Sequence, residues 1–88
     1  MQKLKGRSGH IAYSATALEI SLIGGFGICD HCNEFADNGY LVPILNHYMC
    51  KKCFSEWDSR ATYYPEDTYI ESKRASYYEA MIPMDEVK

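Results

Sequence analysis

Cys29-x2-Cys32 and Cys50-x2-Cys53 form two CxxC pairs separated by seventeen residues, and they carry the clearest chemistry in this 88-residue chain. Each pair can place two thiolates on one ion from a tight turn. The spacer is long enough for one β-hairpin and short enough to bring the pairs together. This is the spacing of a tetrahedral four-cysteine zinc site, so Cys29, Cys32, Cys50 and Cys53 are the expected ligands of one zinc ion. Four sulfurs close the coordination shell and leave no position for water or substrate, which makes the expected role structural. Iron, or disulfide and redox use, are the alternatives. His31 and His47 stand near the cysteines but are expected outside the ligand set, His31 exposed in the first turn and His47 on the hairpin. His10 is assigned no role.

Nothing else in the chain supports catalysis. There is no nucleophile elbow and no GxxxxGK[ST] or GxGxxG phosphate loop, and the metal leaves no thiol free. The acid pairs Glu66-Asp67 and Asp85-Glu86 read as solvated surface. The chain is expected not to be an enzyme.

Length and composition set the frame for this site. Eighty-eight residues make one domain with a thin core, for which a metal staple is a natural supplement. Hydrophobic residues are 47% and charged residues 24% of the chain, close to globular averages. Lys3, Lys5 and Arg7 make only a faint basic start, and Ser14, Thr16, Glu19 and Ser21 interrupt the apolar stretch behind them, so no export signal is expected. No apolar run reaches the roughly 18 residues that span a bilayer. A reducing, cytoplasmic setting with no membrane partner is therefore expected.

The formal charge is -3, and a four-thiolate zinc site shifts it to about -5. Residues 10–50 contain four acids and no Lys or Arg. A nucleic-acid-binding domain normally shows a basic face, and only the first nine residues and Lys51/Lys52 offer one.

The elements that must position the cysteines follow from local signals. Residues 1–9 are basic, polar and glycine-containing, and are expected as a flexible arm ahead of a domain spanning 10–88. Leu18, Ile20 and Leu22 alternate with polar neighbours and suggest a strand over 17–23, although Thr16-x-x-Glu19 is also a capping box. Gly24, Gly25 and Gly27 bracket Phe26 and allow a sharp turn into the first cysteine pair. Asn38-Gly39 is a turn signal. Tyr40–Ile44 reads as a strand that Pro43 confines to an edge or bulge, and His47–Met49 as its partner. The second pair opens a helix with Phe54, Trp57 and Ala61 on its apolar face. Thr68-x-x-Glu71 reads as a second capping box, opening a helix to about Met81 with Ile70, Tyr77 or Tyr78, and Met81 on its buried side.

Knuckle, hairpin, second CxxC and helix together resemble a treble-clef zinc finger. ICDHC matches the knuckle and YMCKKCF the pair at the helix start, over about residues 28–61. LIM-type modules and small bacterial and phage zinc proteins are similar. The resemblance implies a small α+β zinc-stabilised domain, with an N-terminal strand and a C-terminal helix added here. It implies no one function, because treble clefs serve DNA, RNA, protein and ubiquitin partners alike.

Eight tyrosines are the second unusual feature, five of them among the last 26 residues. Packing of the C-terminal helix accounts for some. Tyr64, Tyr69, Tyr77, Tyr78 and Met81 are the candidate partner-binding residues. The expected function is a non-catalytic protein-interaction module: an adaptor, a subunit or an inhibitor. One variant is an acidic inhibitor of a host nucleic-acid enzyme, of the kind phages and mobile elements carry. The alternative is a zinc-finger nucleic-acid-binding transcriptional regulator using Lys3, Lys5, Arg7, Lys51 and Lys52.

Overall fold

Alternation along the strands sends consecutive residues to opposite faces of one sheet, and each face has its own core. In the computed structural model, which describes residues 1–85, the strands are β1 (Gln2–Lys5), β2 (Ile11–Thr16), β3 (Asn38–Val42) and β4 (His47–Cys50). All neighbours are antiparallel, in the order β1-β2-β3-β4. Tyr13, Leu41 and Tyr48 face one core. Ala12, Val42 and Met49, their neighbours in sequence, face the other. Helix α2 (Lys51–Arg60) covers the second face with Phe54, and α3 (Thr68–Met81) covers the first with Ala75 and Tyr78.

The expected flexible arm is instead an ordered edge strand. β1 pairs with β2 from Gln2↔Ser14 to Lys5↔Ile11. The loop between them folds over the buried Asp58 of α2, whose carboxylate accepts from the Arg7 N–H (2.8 Å), the Ser8 N–H (3.2 Å) and the Ser8 hydroxyl (2.9 Å). Gly6 permits this close approach, since a Cβ there would lie 2.4 Å from an Asp58 oxygen. A carboxylate on three donors fixes residues that composition alone marks as mobile.

Residues 17–23 are helical, not a strand. Thr16 Oγ1 accepts from the Glu19 N–H (3.2 Å) and Glu19 Oε1 accepts from the Thr16 N–H (3.0 Å). This capping box opens the one-turn α1 (Ala17–Ile20), a 3-10 turn follows, and Gly24 ends it at φ 85°. Two satisfied orphan donors outweigh the alternating pattern. Asn38-Gly39 lies inside β3 and makes no turn. Its glycine is required by crowding, with a Cβ there 2.6 Å from the Met49 carbonyl. β3 is an inner strand, and Pro43 follows its end in the turn to β4, which Asn46 closes at φ 56°.

The second capping box does not form. Asp67 occupies the N-cap without a side-chain bond, Thr68 shares a hydroxyl hydrogen bond with Tyr63, and Glu71 turns inward. The buried side of α3 is Glu71, Ala75 and Tyr78, continued by Ile82, while Ile70 and Met81 are exposed. A core position taken by an acid displaces the expected face. Glu71 meets His10, whose Nδ1 lies 2.7 Å from its carboxylate and whose Nε2 lies 3.1 Å from the Thr62 carbonyl. A carbonyl only accepts, so Nε2 carries a proton. One further proton must then sit between Nδ1 and Glu71. The Trp57 and Tyr63 rings pack on this imidazole at 5.5 and 5.0 Å.

Burial alone would raise the Asp58 pKa, but the Arg7 and Ser8 donors outweigh it and hold the group below its ordinary 3.8. A folded pKa below the unfolded one gives stability that is present above about pH 4 and lost as pH falls through the folded value. Asp58→Asn is expected to destabilise the domain by about 1–3 kcal/mol and to flatten the acid limb of the stability curve, as read by urea titration against pH.

Candidate metal centre

Three stretches of backbone deliver the four cysteines. Cys29 and Cys32 lie in a tight turn closed by an isolated bridge between Ile28 and Phe35. The Cys29 N–H donates to Glu34 O and the Asn33 N–H to Cys29 O, each at 2.8 Å, and Asn33 adopts φ 63°. Asp30 fastens this turn to β4 in both directions. Its N–H donates to Tyr48 O (2.8 Å), and its carboxylate accepts from the Tyr48 N–H (3.0 Å). Cys50 ends β4 and is the N-cap of α2, and Cys53 sits in the first turn of that helix.

The four Sγ atoms all lie within 4.8 Å of one another, and Cys32 Sγ is 3.9 Å from Cys50 Sγ. Tetrahedral zinc with bonds of about 2.3 Å sets its sulfurs about 3.8 Å apart, so the cluster can hold a metal ion and is consistent with a four-cysteine zinc site. The thiols are unequal. Burial works against ionising Cys29, but the backbone N–H groups of Cys50, Cys32 and His31 prevail and bring its pKa down to about 6. Cys53 is pushed up to about 12 by burial and by hydrogen bonding among the other thiols. The Cys32 thiol is also raised: its hydrogen bonds to Cys29 and Cys50 outweigh the Glu34 N–H, which favours the thiolate. One sphere of sulfur tolerates few negative charges until a cation enters it.

His31 and His47 pair with each other across the turn, His31 Nε2 lying 3.2 Å from His47 Nδ1, and neither belongs to the sulfur cluster. No family model matches the chain. Comparison with curated proteins and with solved structures yields no match either.

Elsewhere, the candidate partner residues divide. Tyr64, Tyr69, Tyr77 and Met81 are exposed, Tyr69 by 74%, whereas Tyr78 is only 2% exposed and belongs to the core. Tyr78 meets Tyr13 edge-on at 6.3 Å, and its hydroxyl donates to Asn46 Oδ1. Tyr69, Ile70, Lys73 and Tyr77 line a groove of about 520 Å³ between α3 and the β3–β4 turn. Arg74 anchors it by donating from Nη1 to the carbonyls of Pro43 (3.2 Å) and Ile44 (3.0 Å). The groove is not acidic. Glu71 is held by His10, and Glu79 by Tyr13 and by Lys3 at 3.1 Å. Sequence reasoning missed a second exposed surface around Leu18, Phe26 and Phe35, where glycines flanking a phenylalanine were the available signal. Among the described residues no helix is long and apolar enough to cross a membrane.

Zinc binding is expected at about one ion per chain, with release of about four protons near neutral pH, because in the unfolded metal-free chain all four thiols carry theirs. Calorimetry in buffers of different ionisation enthalpy reads the proton count. Removal by chelator, or Cys50→Ser, is expected to unfold the domain. A folded metal-free chain would show that the site has no role in folding.

Proposed function

We propose that the chain is a non-catalytic protein-interaction module of the cytoplasm, folded around one structural zinc ion in a treble-clef arrangement. The observation that carries this reading is the α3 groove, where two exposed tyrosines flank Lys73 on a helix whose two acids, buried Glu71 and exposed Glu79, are engaged elsewhere. Tyrosine with a cation among apolar side chains is the composition of a protein-binding hot spot. A closed four-sulfur shell supports a scaffolding role for the metal, and four thiols reserved for an ion suit a reducing compartment.

The nucleic-acid reading loses one of its cations, since Lys3 is paired with Glu79, while Lys5, Arg7, Lys51 and Lys52 stay exposed. The groove suits a partner segment that offers an apolar side chain between the tyrosines and a carboxylate to Lys73.

Affinity capture with the zinc-loaded chain, followed by cross-linking, tests the reading. Tyr69→Ala and Lys73→Glu are each expected to weaken a captured protein partner at least about 10-fold with zinc content unchanged. Tyr78→Ala is expected to destabilise the fold instead. Capture of nucleic acid with a steep salt dependence, insensitive to Tyr69→Ala, would reverse the assignment.

A further inference from the structure

Five large apolar side chains stand exposed from α1 to just past the first cysteine pair. Leu18, Phe26 and Phe35 are 81%, 86% and 64% exposed, and Leu22 and Ile28 lie with them. The backbone beneath them is tightly packed. The Gly25 N–H donates to Ile20 O (3.1 Å) and the Ala36 N–H to Gly27 O (2.8 Å), while Gly24 and Gly27 take positive φ. A Cβ on Gly25 would lie 2.3 Å from Ile20 Cγ2, and one on Gly27 would lie 2.4 Å from the Ala17 Cβ. Phe26 is therefore a knob on a fixed mount, and its burial requires little new ordering of the backbone. Phe26 itself forms one side of a shallow hollow of about 430 Å³ shared with Ala17, Leu18, Ser21, Gly25 and Phe35, with Asp37 its one charged lining residue.

We propose that this surface is the interface of a two-fold homodimer, in which Phe26 of each copy seats in the hollow between Leu18 and Phe35 of the other. A two-fold contact requires one patch to be complementary to itself, and a knob beside a hollow meets that condition. The five side chains expose on the order of 600 Å², most of the roughly 800 Å² per partner found in stable interfaces. Charge selects the occupant. The chain carries a net -3, so a charged patch would confront its own like charges in a second copy. This patch is almost uncharged and accepts one.

Sedimentation equilibrium of the zinc-loaded full chain tests the proposal at about 50 and 500 mM salt, where screening of the repulsion between two acidic copies differs most. The expected result is a dimer that tightens as salt rises. Phe26→Glu is expected to weaken it at least about 30-fold with zinc content and circular dichroism unchanged, and Lys73→Glu to leave it intact. Should Phe26→Glu misfold, Leu18→Gln at an exposed helical position is expected to weaken the same contact. A chain that stays monomeric at high micromolar concentration, association that weakens with salt, or a dimer indifferent to both substitutions would overturn the proposal. A monomer whose Leu18–Phe35 surface is covered by a different protein overturns it equally, and leaves the α3 reading standing.

Discussion

Convergence of four cysteine sulfurs within 4.8 Å is the constraint around which the rest of the chain is arranged. It joins three pieces of backbone: the turn at Cys29–Cys32, which Asp30 also fastens to Tyr48, the end of β4 and the start of α2. Sulfur that close repels itself once ionised, and the opposed pKa values of Cys29 and Cys53 express that conflict. A divalent cation held there would resolve it, and the gain would be shared by every element tied to a ligand. Cys29 itself lies in the core with Val42, Met49 and Phe54, so closing the metal sphere and packing one face of the sheet are one event.

The opposite face is closed by polar chemistry as much as by apolar area. A core this small leaves room for few large side chains, and Tyr13 and Tyr78 fill much of it while sending their hydroxyls to Glu79 and Asn46. His10 and Glu71 complete the seam where α3, β2 and the segment after α2 meet. Drawing Asp58, Glu71 and Glu79 into such contacts redistributes the surface charge. The acidic chain ends with one cationic aromatic groove and one nearly uncharged apolar patch.

The metal centre was legible because ligand spacing is a local property: two CxxC pairs and a hairpin-length spacer are visible in a string of letters. So were β4, α2 and the extent of α3. The misreadings share a cause. Asp58 and Glu71 occupy interior positions that a polarity pattern assigns to solvent, because their partners, Ser8 and His10, lie some fifty to sixty residues away in sequence. The same distant contact turned the expected basic arm into β1. Residues 17–23 offered two signals, and the strand pattern was preferred over a capping box whose two bonds decide the matter. A strand over 17–23 would half-bury Leu18 and Leu22 on one face, whereas both belong to an exposed surface.

The sheet has two edges, and they are treated differently. Asp30 lies across β4 and occupies Tyr48 with two hydrogen bonds, so that border is covered. Among the described residues no strand pairs with β1 on its outer side, but β1 is four residues long, exposes Lys3 and Lys5, and is followed at once by Gly6 and the bend over Asp58. A short, lysine-bearing border is a poor template for a further strand. Main-chain templating, the route by which small β-rich chains stack without limit into fibrils, is thereby discouraged. Contact between copies is left to side-chain surfaces, where it is finite.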